Sequence, residues 1–432
     1  MGAPTLPSGP PVLAKWVRER TRSTLRQMVS VVSGPGVLSL AGGLPDPGLF
    51  PTAEYAAALD HVLATDRGAL QYKPPFEPLK QQIVGLMADR GVRCAPDQIV
   101  LTTGAQQGIA IAVSLFLEPH GQLILEEATY PGLDEAAARL RPRLLTVPTD
   151  LASGMDVDAV EDILERGAQP AFMYAIPASH NPCGVSLSPA KRHRLVELAT
   201  LYKIPIVEDD AYGLLSYEGR QEPALRALDE DGIIYVGTFS KTIAPALRLG
   251  WMVLPTELVS PATIAKEAGD LESSALTQRA VSFYLERGLF DAHLDALRRV
   301  YRGRRDALVA ALEHHFPRSA RWTRPSGGFF VWVELDRHID CDALLDRAIE
   351  EEGVAFVPGS AFTPRGRTAS NCMRLSFATC GPEELEEAVR RLARLLDRTA
   401  SLPRFGGEGA PAAAAEHERA TQQRVGVGPH EH

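Results

Sequence analysis

No two cysteines stand at CxxC spacing: the five, Cys94, Cys183, Cys341, Cys372 and Cys380, are odd in number and scattered. That argues against a disulfide framework and for reduced thiols in a cytoplasmic protein. No apolar run approaches the roughly 18–20 residues of a membrane span; the longest, around residues 109–117, has the length of a core helix. The opening MGAPTLPSGPP lacks the continuous apolar stretch of a signal peptide. Positive charge is in deficit, with 45 Lys+Arg against 54 Asp+Glu and a net charge of −9. Nonspecific binding to nucleic acid or to anionic lipid is disfavoured accordingly. Several catalytic signatures are missing too: no GxxxxGK[ST] loop, no GxGxxG after a strand, no GxSxG elbow, no HExxH. The pair His314–His315 and the late His430 and His432 lack partners at ligand spacing, so no metal is expected.

Apolar residues are plentiful: at 45% of 432 residues they exclude a disordered chain. At about 150 residues per domain, two or three domains are expected. Short β-branched runs recur at residues 99–103, 122–125, 144–147, 171–176, 204–207, 233–236 and 250–254. Helical spacing separates several of them, as over 191–201. Runs apolar throughout suit strands buried on both faces, and the alternation predicts an α/β layer fold. Residues 293–316 read as an amphipathic helix, with Leu294, Leu297, Val300, Tyr301, Leu308 and Leu312 on one stripe. Its arginines Arg298, Arg299, Arg302, Arg304 and Arg305 read as a solvated face. Strands over 328–335 and 373–377, with helices over 341–351 and 382–396, predict a smaller α+β unit. Residues 13–30 read as a basic helical arm and 401–432 as a disordered tail. The domain boundaries follow: arm 1–34, large domain 35–290, small domain 291–400, tail 401–432.

In open parallel sheets ligands bind at the carboxyl ends of the strands, and three polar groups fall there. Gly104-Ala105-Gln106 sits where a strand turns into a helix, whose free N–H groups and dipole suit a phosphate. Glu208-Asp209-Asp210 places three carboxylates in a row, at a cost in mutual repulsion unless they are used. They suit a metal or, better in the absence of nearby histidine, a cationic ring nitrogen. Thr238-Phe239-Ser240-Lys241, followed by Arg248, offers a lysine amid apolar neighbours, where burial lowers its pKa and frees its amine as a nucleophile. Each has a blander reading alone: a tight connection, an acidic turn, a surface lysine. Together they describe a pyridoxal phosphate site.

With these residues in hand, the chain resembles the fold-type I, class I/II pyridoxal-phosphate aminotransferases, and is most similar to their 2-aminoadipate and multi-substrate group. The resemblance runs from about Ser23 to Leu396. It is carried by Leu40-Ala41-Gly42-Gly43-Leu44-Pro45-Asp46, Gly104-Ala105-Gln106, Glu127-Ala128-Thr129-Tyr130-Pro131, Asn181-Pro182-Cys183-Gly184, Glu208-Asp209-Asp210-Ala211-Tyr212, Ser240-Lys241 with Leu247-Arg248, and Met373-Arg374-Leu375-Ser376. It implies a large domain with a mostly parallel seven-stranded sheet flanked by helices, plus the smaller α+β domain.

The resemblance also implies roles. Lys241 bonds the cofactor covalently and later moves the proton. Asp209 pairs with the ring nitrogen; Asn181 and Tyr212 meet the ring's phenolic oxygen; Tyr130 stacks on its face. Gly104, Ala105, Gln106, Thr238, Ser240 and Arg248 gather at the phosphate. Arg374 forks onto the substrate α-carboxylate, with Gly43 and Asn181 beside it, and Arg26 matches a position that meets a side-chain carboxylate. Tyr72 matches a residue that reaches the phosphate of a neighbouring subunit, implying a homodimer with shared sites. Asn181–Pro182 is expected to be cis. The chain departs from the family pattern at residues 71–80, which lack a glycine and carry Lys80 in place of arginine, and at Asn181-Pro182-Cys183-Gly184, where Cys183 replaces threonine and reads as a small buried filler. The implied activity is amino transfer between an L-amino acid and a 2-oxo acid, with glutamate/2-oxoglutarate as one pair, by ping-pong kinetics. A lyase, decarboxylase or cyclising enzyme on the same fold stays open. A DNA-binding regulator is disfavoured, since too few residues precede Leu38 for a winged helix.

Overall fold

A computed structural model describes residues 13–18, 36–218, 222–364 and 368–400. The seven runs read as buried strands form one sheet: β1 (Ile99–Thr102), β2 (Gln122–Glu126), β3 (Arg143–Val147), β4 (Pro170–Ala175), β5 (Ile206–Asp209), β6 (Ile233–Thr238) and β7 (Gly250–Val253). Their order is β1-β7-β6-β5-β4-β2-β3. All pairings are parallel except those of β7, which runs antiparallel to both β1 and β6. Strands β1, β5, β6 and β7 are buried along their whole length.

Helices cover both faces, which is why these strands lack polar alternation. On one face, Ile109, Ala112 and Val113 of α1 (Ala105–Phe116) pack with Val207, Val236 and Met252. On the other, Leu195 and Leu198 of α2 (Pro189–Tyr202) pack with Met173, Ile206 and Ile233. Each Ile, Leu, Val or Met side chain among them contributes roughly 1.5–3 kcal/mol by leaving water. Ser188 caps α2 through Lys191 N–H, and Pro189 opens it at the position where a missing N–H costs nothing.

The smaller sheet is antiparallel, ordered β8-β9-β11-β10 from β8 (Arg321–Trp322), β9 (Phe330–Glu334), β10 (Val357–Pro358) and β11 (Cys372–Ser376). Helix α3 (Phe290–His315) buries Leu294, Leu297, Tyr301, Leu308 and Leu312 as its spacing predicts, with Val300 of the same stripe only half-buried, and α4 (Cys341–Glu352) and α5 (Pro382–Ala400) complete the count expected from sequence. Of the five arginines of α3, Arg299 and Arg302 are exposed as a solvated face would have them, but Arg298, Arg304 and Arg305 correct that reading. Arg305 is buried, donating to Pro325 O and pairing with Glu218 at 2.6 Å. Arg304 pairs with Asp46 at 2.6 Å, and Arg298 donates twice to Leu214 O. Guanidinium groups here satisfy loop carbonyls that the helix packs against, a demand that periodicity does not reveal.

The chain divides into two compact units, Met1–Ala393 and Arg394–His432. Of the second, only the end of α5 is described. The basic arm is described only at Lys15–Arg18, a single helical turn; its remainder, Arg26 included, and the tail 401–432 lie outside the described residues. No described helix is long and apolar enough to cross a membrane.

Candidate active site

The carboxyl ends of β1, β4, β5 and β6 open on a cavity of about 490 Å³, within the range of small-molecule sites. Because β7 is antiparallel, its start lies at this same edge: Gly250 is in register with Thr102 of β1 and Thr238 of β6. Arg248, two residues before it, is thereby brought to the cavity from 146 positions beyond β1's Thr102 — a neighbour that chain distance would not suggest.

Period two resolves the three adjacent carboxylates. Glu208 turns to one side of β5 and accepts the N–H groups of Leu225 and Arg226 at 2.7 and 3.0 Å. Asp210, just past the strand, accepts from Arg90 Nε and from the Tyr235 hydroxyl, each at 2.8 Å. Asp209 alone lines the cavity. Its Oδ2 accepts the Tyr174 hydroxyl at 2.6 Å, and its buried Oδ1 has no hydrogen-bond partner among the described residues. Burial pushes the carboxyl up to about 6, with Asp210 adding to the rise and Tyr174 and Lys241 opposing it. The Tyr174 hydrogen bond and the Lys241 charge thus hold it toward the anion against that rise, with one oxygen unsatisfied.

Lys241 follows β6 and donates to Gly43 O at 3.3 Å. Burial, then the positive charge of Arg374, lowers its pKa to about 8. Arg374 sits on β11 of the smaller sheet, 2% exposed, yet among the described residues no carboxylate pairs with it. It donates to Asn181 Oδ1 at 3.0 Å and to Ala41 O at 2.8 Å, while Nε is buried without a partner. Its guanidinium lies 4.1 Å from the Phe330 ring centroid and 4.6 Å from that of Phe362. Burial pulls its pKa down to about 10. A buried cation held by neutral groups alone is a receptor for an anion. The Asn181–Pro182 peptide beside it is cis, as expected.

The N-terminus of α1 enters the same cavity at Ala105 and Gln106 with no side-chain cap. Thr238 and Ser240 join it, linked hydroxyl to hydroxyl at 2.9 Å. Arg248 is left-handed (φ 46°) and donates to Thr103 O at 2.8 Å and Pro245 O at 3.3 Å. Gly104 lies under this guanidinium rather than on the cavity wall: its φ is +91°, and a Cβ there would stand 2.7 Å from Arg248 Nη2. The cradle thus needs glycine twice over, for backbone and for space. Tyr130 and Tyr212 line the cavity, Tyr212 edge-on to Phe329 and Phe330.

Besides Gly104, two predicted site residues are not among the described residues that line the cavity. Tyr72 is outside the cavity and 76% exposed; Arg26 is not described. Sequence reading missed Tyr174, Phe330, Phe362 and the Ala41 carbonyl, since an apolar residue or a backbone carbonyl carries no sign in the sequence of the polar group it will support. Cys183 is 1% exposed, and burial pushes its thiol well up, which leaves it inert as a nucleophile.

Pyridoxal phosphate has parts complementary to this cavity: a ring nitrogen that carries a proton when faced by an anion, an aldehyde for an amine, and a phosphate for a helix N-terminus and a guanidinium. The unsatisfied Asp209 Oδ1 and the cradle of Ala105, Gln106, Thr238, Ser240 and Arg248 are the features that its binding would use. Fold and site together define a fold-type I pyridoxal-phosphate enzyme.

The chain belongs to the class I and II aminotransferase family, whose model matches residues 36–392. It is 39% identical to the 2-aminoadipate transaminase of Thermus thermophilus, over 87% of this chain and 94% of that protein. It is 36% identical to aromatic-amino-acid aminotransferase 1 of Thermococcus litoralis, over 87% and 91%. The crystal structure of LysN, an α-aminoadipate aminotransferase of Thermus thermophilus complexed with N-(5'-phosphopyridoxyl)-L-leucine, superposes with a TM-score of 0.83 at 37% identity, covering 90% of this chain and 98% of that one. The protein is thus an aminotransferase with pyridoxal phosphate as cofactor.

One prediction arises directly. Only the neutral Lys241 amine can attack the cofactor's aldehyde. With its pKa near 8, the rate at which cofactor-free protein takes up pyridoxal phosphate should climb with pH and level off above about 8. Stopped-flow absorbance checks this; a rate still climbing beyond about 10, as for an ordinary lysine, contradicts it.

Proposed function

We propose that the enzyme moves the amino group between an L-amino acid and a 2-oxo acid, with glutamate/2-oxoglutarate as one pair, by ping-pong exchange in the cytoplasm. The observation that carries this reading is Arg374: a buried guanidinium without a carboxylate partner among the described residues, lining the same cavity as Lys241 and Asp209. Substrates named for two relatives, 2-aminoadipate and aromatic amino acids, support an α-amino acid as the ligand.

When bound, pyridoxal phosphate supplies an electron-accepting ring for the pair of electrons left at Cα. The rest is the work of this chain. Arg374 orients the α-carboxylate by a planar, two-pronged contact. Lys241, once its amine is free, is the base that takes and returns the Cα proton. Asp209 holds a negative charge where the ring nitrogen would be, favouring its protonated form. Tyr130 covers the ring, Asn181 and Tyr212 meet its oxygen, and Gly104, Ala105, Gln106, Thr238, Ser240 and Arg248 hold the phosphate. We assign the cofactor domain to 35–290 and the small domain, bearing Arg374, to 291–400. The working unit is a homodimer in which exposed Tyr72 reaches the neighbouring subunit's phosphate; the exposure of Leu70, at 73%, is consistent with a covered face there.

A half-reaction screen tests the whole reading. Single amino acids are added to the loaded enzyme while the cofactor spectrum and the released product are followed. Conversion of glutamate to 2-oxoglutarate, reversed by a second 2-oxo acid, is the expected result. Release of CO2 or pyruvate with no amino transfer from any donor would replace it with the lyase or decarboxylase reading.

A further inference from the structure

Behind Asp209 stands a residue to which the chemistry proposed for the site gives no part. Tyr174 lies on β4, in register with Val207 of the neighbouring β5. It is 1% exposed and does not line the cavity, so it has no access to substrate. Its hydroxyl is 2.6 Å from Asp209 Oδ2, a charge-assisted hydrogen bond in an environment closed to water. The remaining oxygen, Oδ1, is the one left without a partner.

We propose that Tyr174 is a positioning residue for Asp209: by occupying Oδ2 it turns Oδ1 to the cofactor's ring nitrogen and favours the ionised carboxylate. A carboxylate has two oxygens and can rotate about its Cβ–Cγ bond. Fixing one fixes the direction of the other, as outer partners fix the ligands of a metal. The neighbours alone do not supply this. Lys241 and His180 act on Asp209 through their charge and favour the anion, Asp210 opposes it, and none is hydrogen-bonded to it. His180 is itself engaged with Glu126, 3.0 Å away, and accepts Cys183 N–H. Tyr130 and Glu126 also face Tyr174, and both disfavour loss of its proton, as burial does; it stays a donor. This inference rests on the proposed pairing of Asp209 with the ring nitrogen.

The test is a double-mutant cycle on cofactor affinity, using Tyr174→Phe, Asp209→Asn and the pair. Tyr174→Phe removes one oxygen and no carbon from the core. Equilibrium binding of pyridoxal phosphate to each cofactor-free protein is read by tyrosine and tryptophan fluorescence, and the pH at which the loaded enzyme's visible band changes is recorded alongside. Tyr174→Phe alone should weaken cofactor binding about tenfold, the scale of one hydrogen bond to a charged group, and should move the pH of the spectral change. In the Asp209→Asn background the same substitution should change affinity by less than about twofold, the residue of a pair whose interaction is already gone. Equal losses in the two backgrounds, or no loss and an unmoved spectral pH in the first, overturn the role of Tyr174. If Asp209→Asn itself leaves affinity and spectrum unchanged, it is the pairing of Asp209 with the ring that fails.

Discussion

Lys241→Ala should leave a protein that binds pyridoxal phosphate but cannot use it. The variant loses the amine that bonds the aldehyde, so the visible absorbance of the covalently held cofactor disappears. It also loses the base at Cα, which in comparable settings contributes about 10²–10⁴-fold to rate. Turnover should therefore fall by at least that factor. Noncovalent binding persists, because the Arg248 cradle and Asp209 are untouched; within the protein the substitution removes a 3.3 Å hydrogen bond to Gly43 O. Spectra before and after dialysis, with steady-state rates, give the answer. Retention of both colour and turnover would mean that another group does this chemistry.

Arg374→Lys is the second large effect, and it separates substrate from cofactor. The guanidinium is held beside the rings of Phe330 and Phe362, with its donors on Asn181 and Ala41. An ammonium keeps the charge but not the fork, and is more strongly hydrated, so it sits poorly between two rings. The kcat/KM for amino acids should drop by about 10–100-fold, the cost of a few kcal/mol for a damaged buried charge pair. Affinity for pyridoxal phosphate should fall by much less than kcat/KM, since Arg374 donates to none of the residues of the phosphate cradle and meets the proposed cofactor contacts only through Asn181. Equal losses of substrate and cofactor affinity would show instead that Arg374 only supports the fold around the site.

All seven strands of the large sheet are legible in the sequence because a strand buried on both faces must be apolar throughout, and that is a local property of the chain. The helix over 293–316 is legible for the same reason at period 3.6. The helices Thr52–Thr65 and Glu77–Asp89 fall outside the sequence reading for different reasons. The first buries only Ala58 and Val62, too narrow a stripe to read, whereas the second buries Leu79, Ile83 and Met87 at helical spacing that marks it in the sequence. The pieces of the site stand out as polar residues at strand ends, and the resemblance to a known family puts names to them.

Position along the chain specifies which residues are chemically able to act: a lysine after a strand, a carboxylate at its end, a glycine where the backbone must turn left-handed. It does not specify which carboxylate of three faces the cavity, that Arg374 is left without a counter-charge, or that Tyr174 stands behind Asp209. Those are outcomes of sheet order and register. An antiparallel β7 between β1 and β6 carries Arg248 to the helix N-terminus, and the β4–β5 pairing sets a phenol against a carboxylate 35 residues away. Contacts between strands are fixed by packing across the whole core, and no local stretch of sequence contains that information.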